Sequence, residues 1–178
     1  MSPGEKEGPY DPARDDGVDA LITSLQKAGV ARNANVYAEL GSTWRFVSTR
    51  DPHSAAHLLG KLFKYVGEDN VLWGTDSIWY GSPQDQIQAF RTFQISEELR
   101  DKHGYPRISA ELRAKVFGLN AARPYGLKPE EMRRQAAGDV VERERAAYSE
   151  RPNPSFATYG PRTRREFANL IKASGGQP

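Results

Sequence analysis

A short apolar run, Val71-Leu72-Trp73, breaks at Gly74 and ends in Thr75-Asp76-Ser77. No other stretch limits the possible folds as much. Three bulky residues in succession suit a strand buried on both faces, as in a parallel sheet. Gly74 lets the backbone bend or another group come close. Asp76 then stands where the strand gives way to a loop. In a β/α barrel, catalytic and metal-binding groups gather at that end of a strand. Elsewhere an aspartate at such a junction caps a turn or a helix. Spacing alone leaves both readings open.

A second strand is predicted upstream, over Asn35 to Leu40. Val36, Ala38 and Leu40 share one face, and Tyr37 and Glu39 share the other. Glu39 falls near the C-terminal end, where a carboxylate is ordinarily solvated or ion-paired. Gly41 to Arg50 reads as a polar loop carrying Trp44, Arg45 and Phe46. Asp51-Pro52 then signals a capped helix start. Leu58, Leu59, Leu62, Phe63 and Val66 form its apolar stripe, and Gly67 stops it. Strand, helix and strand, with about 30 residues between strand ends, make a βαβ unit with parallel strands. His53 and His57 lie four apart on this helix, a spacing that zinc ligands can have. The stretch His-Ser-Ala-Ala-His lacks a catalytic glutamate, and both histidines fall off the stripe, so they read as a solvated face.

Earlier, Val18, Leu21, Ile22 and Leu25 mark an amphipathic helix ended by Gly29. Later, Ser82-Pro83 opens a helix with Ile87, Phe90 and Phe93 inward, running to Gly104, and Ser109 opens another with Leu112, Val116 and Phe117 on one side. The aromatic loop after Asp76 holds Trp79 and Tyr80, placed to wall a pocket or to anchor the loop. Leu, Ile, Val and Phe together make up only 34 of the 178 residues, concentrated between Val18 and Leu127. The chain therefore divides into a proline- and glycine-rich arm (1–17), a loop or mobile segment, a folded part with a thin core (18–127), and a charged helical extension (128–178). Within the extension, one helix is expected from Pro129 to Arg151 and another from Thr163 to Ala173. Twenty-five basic and 23 acidic residues leave a net charge of +2, with no long basic run, so a nucleic-acid partner is not expected. The chain has no cysteine, hence neither disulfides nor thiolate metal sites, which fits a cytoplasmic protein. No apolar stretch is long enough to span a membrane, and no signal peptide is expected.

Three segments together resemble the C-terminal part of the amidohydrolase superfamily: Asn35-Val36-Tyr37-Ala38-Glu39-Leu40-Gly41-Ser42, the Val71 to Ser77 stretch, and Ala114-Lys115-Val116-Phe117-Gly118-Leu119-Asn120-Ala121-Ala122-Arg123. The likeness is greatest to the amidohydrolase-related branch of metal-dependent TIM-barrel hydrolases and decarboxylases. In that branch the last barrel strand ends in Gly-(Ser/Thr)-Asp, and the closing helix ends in Asn-Ala with a following Arg. The resemblance covers about residues 10–127. It implies an α/β fold, the C-terminal portion of a (β/α)8 barrel with about two parallel strands, surrounding helices and a helical C-terminal extension. It implies that Asp76 binds the metal, zinc first and manganese second, or takes the proton from the attacking water. Asn35 to Leu40 would be the seventh strand, placing Glu39 near the barrel mouth beside Trp79 and Tyr80 as substrate-binding residues.

The chain departs from the family in its histidines. The family's first strand carries His-x-His, and its fifth and sixth strands each carry another histidine. Here only His53, His57 and His103 occur, none on a predicted strand. Two parallel strands cannot close a barrel. The expectation is the C-terminal section of a metal-dependent hydrolase, or a related decarboxylase, that attacks a C–N or C–O bond of a small-molecule substrate. Such a section is incomplete alone and is completed by an N-terminal partner chain or a homo-oligomer. The alternative is a non-catalytic truncated module that self-associates or binds a partner.

Overall fold

The computed structural model describes residues 6–48, 51–77, 83–152 and 163–173. Along them run α1 (Gly17–Lys27), β1 (Ala38–Glu39), α2 (Gly41–Ser48), α3 (Pro52–Lys61), β2 (Val71–Leu72), α4 (Gln84–Thr92), α5 (Glu97–His103), α6 (Ala110–Ala114), α7 (Asn120–Ala122), α8 (Pro129–Ala136), α9 (Val140–Glu150) and α10 (Arg164–Ala173). A π-helical stretch, Leu62–Gly67, continues α3, and another, Lys115–Leu119, joins α6 to α7.

The β1–α3–β2 unit is the frame. The two strands pair in parallel with Ala38 opposite Val71 and Glu39 opposite Leu72. Ala38 N–H donates to Asn70 O at 2.9 Å and Leu40 N–H to Leu72 O at 3.0 Å. Side chains pin the N-terminal end of the pairing. Asn70 Nδ2 reaches back to the carbonyls of Ala34 and Val36, and Asn120 Nδ2 donates to Glu68 O at 2.7 Å and Val71 O at 2.9 Å. Asn120, part of the Asn-Ala-Ala-Arg stretch quoted for the resemblance, therefore ties the helical segment that follows α6 to β2. α3 starts as its residues dictate: the Asp51 carboxylate accepts from the His53 and Ser54 N–H groups, and proline occupies the first turn.

Several elements differ from expectation. Both strands are only two residues long: after Leu40 the chain turns into α2 at Gly41, and β2 ends at Leu72. Within the predicted polar loop at 41–50, Gly41–Ser48 form a helix, α2, with Trp44 fully buried. Its Ser42 N–H, an orphan donor of the first turn, is met by Asp76 beyond β2 rather than from the helix's own sequence, which local reading cannot see. The helix expected to run unbroken to Gly104 stops at Thr92, and Phe93 takes extended backbone. Phe93 and Ile95, two apart, both enter the core. The Arg113 guanidinium donates to the carbonyls of Phe90, Phe93 and Ile108, replacing bonds the broken helix loses. The expected single helix from Pro129 to Arg151 is two, divided at Gly138, which takes φ +74°.

The core lies between the α3 side of the sheet and α4. Trp44 meets Phe90 edge-on at 5.5 Å, and Trp73, Phe90 and Phe117 close a ring of contacts at 4.8–5.4 Å. The Trp44 indole N–H donates to Gln86 O at 3.1 Å, so the buried ring is satisfied. The described part of the N-terminal arm has no helix or strand but is tied down. Glu7 is buried, its N–H donating to Ser54 Oγ at 3.0 Å and its carboxylate meeting Lys61 Nζ at 2.5 Å. α8 and α9 bury no residue. No helix among the described residues is long and apolar enough to cross a membrane.

Candidate functional site

At the C-terminal ends of β1 and β2 two carboxylates come up beside two glycines. Asp76 follows β2 in the left-handed region, φ +47°. Asparagine and aspartate tolerate this conformation best among residues with a side chain. The bend turns its carboxylate back toward β1. There Oδ2 accepts from Ser42 N–H at 2.9 Å and from the Ser42 hydroxyl. Ser42 is the second residue of α2, so Asp76 meets the positive end of that helix. Gly41, φ +40°, makes room: a Cβ there would stand 3.2 Å from Asp76 Oδ2. Oδ1 has no hydrogen-bond partner among the described residues. The loop carrying Asp76 is held by Gln86 Nε2, which donates to Thr75 O at 2.9 Å, and by Ser77 N–H on Thr75 Oγ1.

Glu39 ends β1 and is exposed. Its carboxylate lies over Gly74, where any Cβ would collide with Oε1. The glycine that breaks the apolar run thus serves a close approach by the neighbouring strand's acid. Glu39 also lines a cavity of about 290 Å³ with Leu40 and Thr43, backed by Val18, Leu21 and Leu62. The structure thus sets Asp76 and Glu39 at the same end of the sheet. Trp79 and Tyr80 lie outside the described residues.

The histidines go elsewhere. His57 was expected on a solvated face, yet it is buried. α3 is covered on every side because Ser54, Ala55, Ala56 and Gly60 let neighbours come close. His57 Nδ1 sits 3.0 Å from Tyr105 Oη, and the His53 and His103 rings stand 4.7 and 5.0 Å from the His57 ring. Burial first, then the charges of His53, His103 and Lys61, pull the His57 imidazolium down to about 4. Among the described residues no group of three or more His, Asp or Glu side chains is placed to hold a metal ion.

A family model described as amidohydrolase matches residues 11–127, well over half of the chain. The chain belongs to the amidohydrolase family. The match spans β1, β2 and both carboxylates. No curated protein and no solved structure matches the chain. Amidohydrolases are generally metal-dependent. Asp76 and Glu39 offer hard oxygen donors of a suitable kind, but two carboxylates fall short of the three protein ligands that a catalytic zinc ordinarily takes. The described residues therefore do not by themselves fit the metal.

Sequence reasoning missed Ser42, the group that orients Asp76. The available signal was Gly41-Ser42 directly after a strand, a common opening for a helix. It also missed the buried trio Glu7, Asp19 and Lys61, for which no local signal exists: the three come from separate segments.

Proposed function

We propose that this amidohydrolase chain is the C-terminal section of a (β/α)8-barrel hydrolase, with Asp76 as the carboxylate that takes the proton from the attacking water. The bond broken would be C–N or C–O in a small molecule, and a related decarboxylation fits the same family. The observation that carries this reading is the bracing of Asp76: one oxygen is held by the N–H and hydroxyl of Ser42, and the other has no hydrogen-bond partner among the described residues. A base must be held at a fixed position to act within hydrogen-bond reach of its water. Glu39, beside the cavity that it lines, would orient the substrate, and Trp79 and Tyr80 would wall it. No step is assigned to a metal, zinc or manganese, because its remaining ligands would come from outside the described residues.

Completion would come from an N-terminal partner chain or from further copies. β1 and β2 bond to each other, and neither has another strand on its outer edge among the described residues. Such edges recruit strands. This same observation favours the second reading, a non-catalytic module that uses its edges to bind a partner or itself.

The test is metal content per chain after gel filtration under zinc or manganese supply. About one metal per chain that falls away in Asp76→Asn supports the enzyme reading. In the assembled complex, Asp76→Ala should then cost at least about 100-fold in rate, as for loss of a preorganised catalytic group. No retained metal, together with an assembled complex indifferent to Asp76→Ala, would leave only the binding module.

A further inference from the structure

Away from the two carboxylates, three segments close around a polar pocket of about 350 Å³. The N-terminal arm contributes Tyr10, the π-helical stretch after α3 contributes Lys64 and Tyr65, and the end of α5 and its following turn contribute Lys102, His103 and Tyr105. No carboxylate lines it. Lys64 Nζ donates to His103 O at 2.8 Å and stands 5.2 Å over the Tyr65 ring, so this ammonium is anchored with donors to spare. Lys102 is exposed and has no ion-pair partner among the described residues.

The aromatic walls are packed against one another and against α3. The Tyr105 ring rests on Gly60, where a Cβ would collide with it, and its hydroxyl meets His57. His103 stacks on Tyr105 at 5.3 Å, and Tyr10 lies 5.1 Å from Tyr65. Burial first, then the charges of Lys102, Lys64 and His53, all positive, lower the His103 pKa. The carboxylates behind Tyr105, Glu7 and Asp19, are engaged by Lys61. The pocket is thus a preformed cationic hollow with aromatic sides.

We propose that this pocket binds a phosphomonoester, its phosphate on Lys64, Lys102 and His103 and its organic part against the tyrosine rings. Lysine is a point-charge binder of phosphate. A phosphomonoester carries nearly two negative charges at neutral pH, which matches two lysines better than a single carboxylate does. The volume exceeds what a bare phosphate needs. This site is independent of the reading given to Asp76.

The test is an NMR titration of the full chain at fixed ionic strength with phenyl phosphate, inorganic phosphate and benzoate. It is read at the imidazole signals, each assigned by a single His→Gln variant. Phenyl phosphate should saturate, bind more tightly than the other two, and raise the His103 pKa. Lys102→Met should weaken binding about tenfold, the scale of one hydrogen bond to a charged group. Lys64→Met should do the same while Lys64→Arg retains binding, with far-UV circular dichroism confirming the fold. Shifts that never saturate, or that persist unchanged in Lys102→Met, would overturn the site. Inorganic phosphate binding as tightly as phenyl phosphate would overturn the phosphomonoester assignment.

Discussion

Asp76 shows how one residue can carry two jobs that a mutation can separate. Its left-handed backbone suits aspartate or asparagine, and its Oδ2 caps α2 through Ser42. Asp76→Asn keeps the conformation and an acceptor oxygen, so urea unfolding should change by less than about 0.5 kcal/mol. Asp76→Ala loses the cap, worth about 1 kcal/mol, and puts a Cβ-bearing residue without side-chain compensation at positive φ. Its loss should reach about 2 kcal/mol; an alanine variant as stable as the wild type would show that the Ser42 bonds contribute nothing. An acid at a strand end and a cap were both legible from Gly74-Thr75-Asp76, whereas the helix it caps, α2, was not, because local sequence gave that segment as a loop. His57 was misread because periodicity assumes one buried face, and α3 has none exposed around that position. Its lowered pKa sets a pH dependence. The unfolded histidine takes up a proton near 6.5 and the folded one near about 4. Between those values the unfolded chain binds more protons, so stability falls as pH drops from 6.5 toward 4 and levels off below. The contribution is on the order of 3 kcal/mol. Urea midpoints across that window should flatten in His57→Gln relative to wild type; parallel curves would mean that other groups carry the effect.

At the scale of elements, the βαβ unit was readable because its parts are locally consistent: alternation in β1, a capped start and apolar stripe in α3, and an apolar run at β2. What failed were lengths and breaks. The end of α4 is set by Arg113 collecting carbonyls from another segment, which no pattern within residues 83–103 contains. α3 also carries a test of close packing. Gly60 is helical, so its lack of a side chain serves contact rather than conformation: the Tyr105 ring occupies the space a Cβ would fill. Gly60→Ala raises helix propensity by about 1 kcal/mol yet forces the ring outward. Overpacking of this kind costs about 1–3 kcal/mol, so the net effect should be destabilisation, checked by thermal unfolding. The variant should also shift the His57 and His103 imidazole signals, because both rings lean on Tyr105. A more stable variant with unmoved signals would show that the ring has other room.

Across the whole molecule, a thin apolar core is supplemented by buried charge. Lys61 is fully buried on α3, and its ammonium meets Glu7 of the N-terminal arm at 2.5 Å and Asp19 of α1 at 2.7 Å. Arg14 stands 3.7 Å from the other oxygen of Asp19, outside hydrogen-bond reach, so that Oδ2 is left unbonded. One ammonium therefore joins the arm, α1 and α3, and with the Glu7–Ser54 bond and the Tyr10–Tyr65 contact it holds residues 6–16 against the body although their composition reads as a free arm. Removing the cation leaves two carboxylates buried together. Breaking such a network from one side costs about 3–5 kcal/mol, whereas replacing all its charges by apolar groups of similar volume is often neutral. Lys61→Met should thus lower stability by about 3–5 kcal/mol, and adding Glu7→Leu and Asp19→Leu should recover most of it. The recovery is the informative part, because burial of the methionine stem is the same in both variants. Proteolysis within residues 6–16 should quicken in the single variant and slow again in the triple. If the triple variant were as unstable as the single one, the trio would be holding the arm by its specific geometry, and the desolvation of two unpaired acids would not be the cause of the loss.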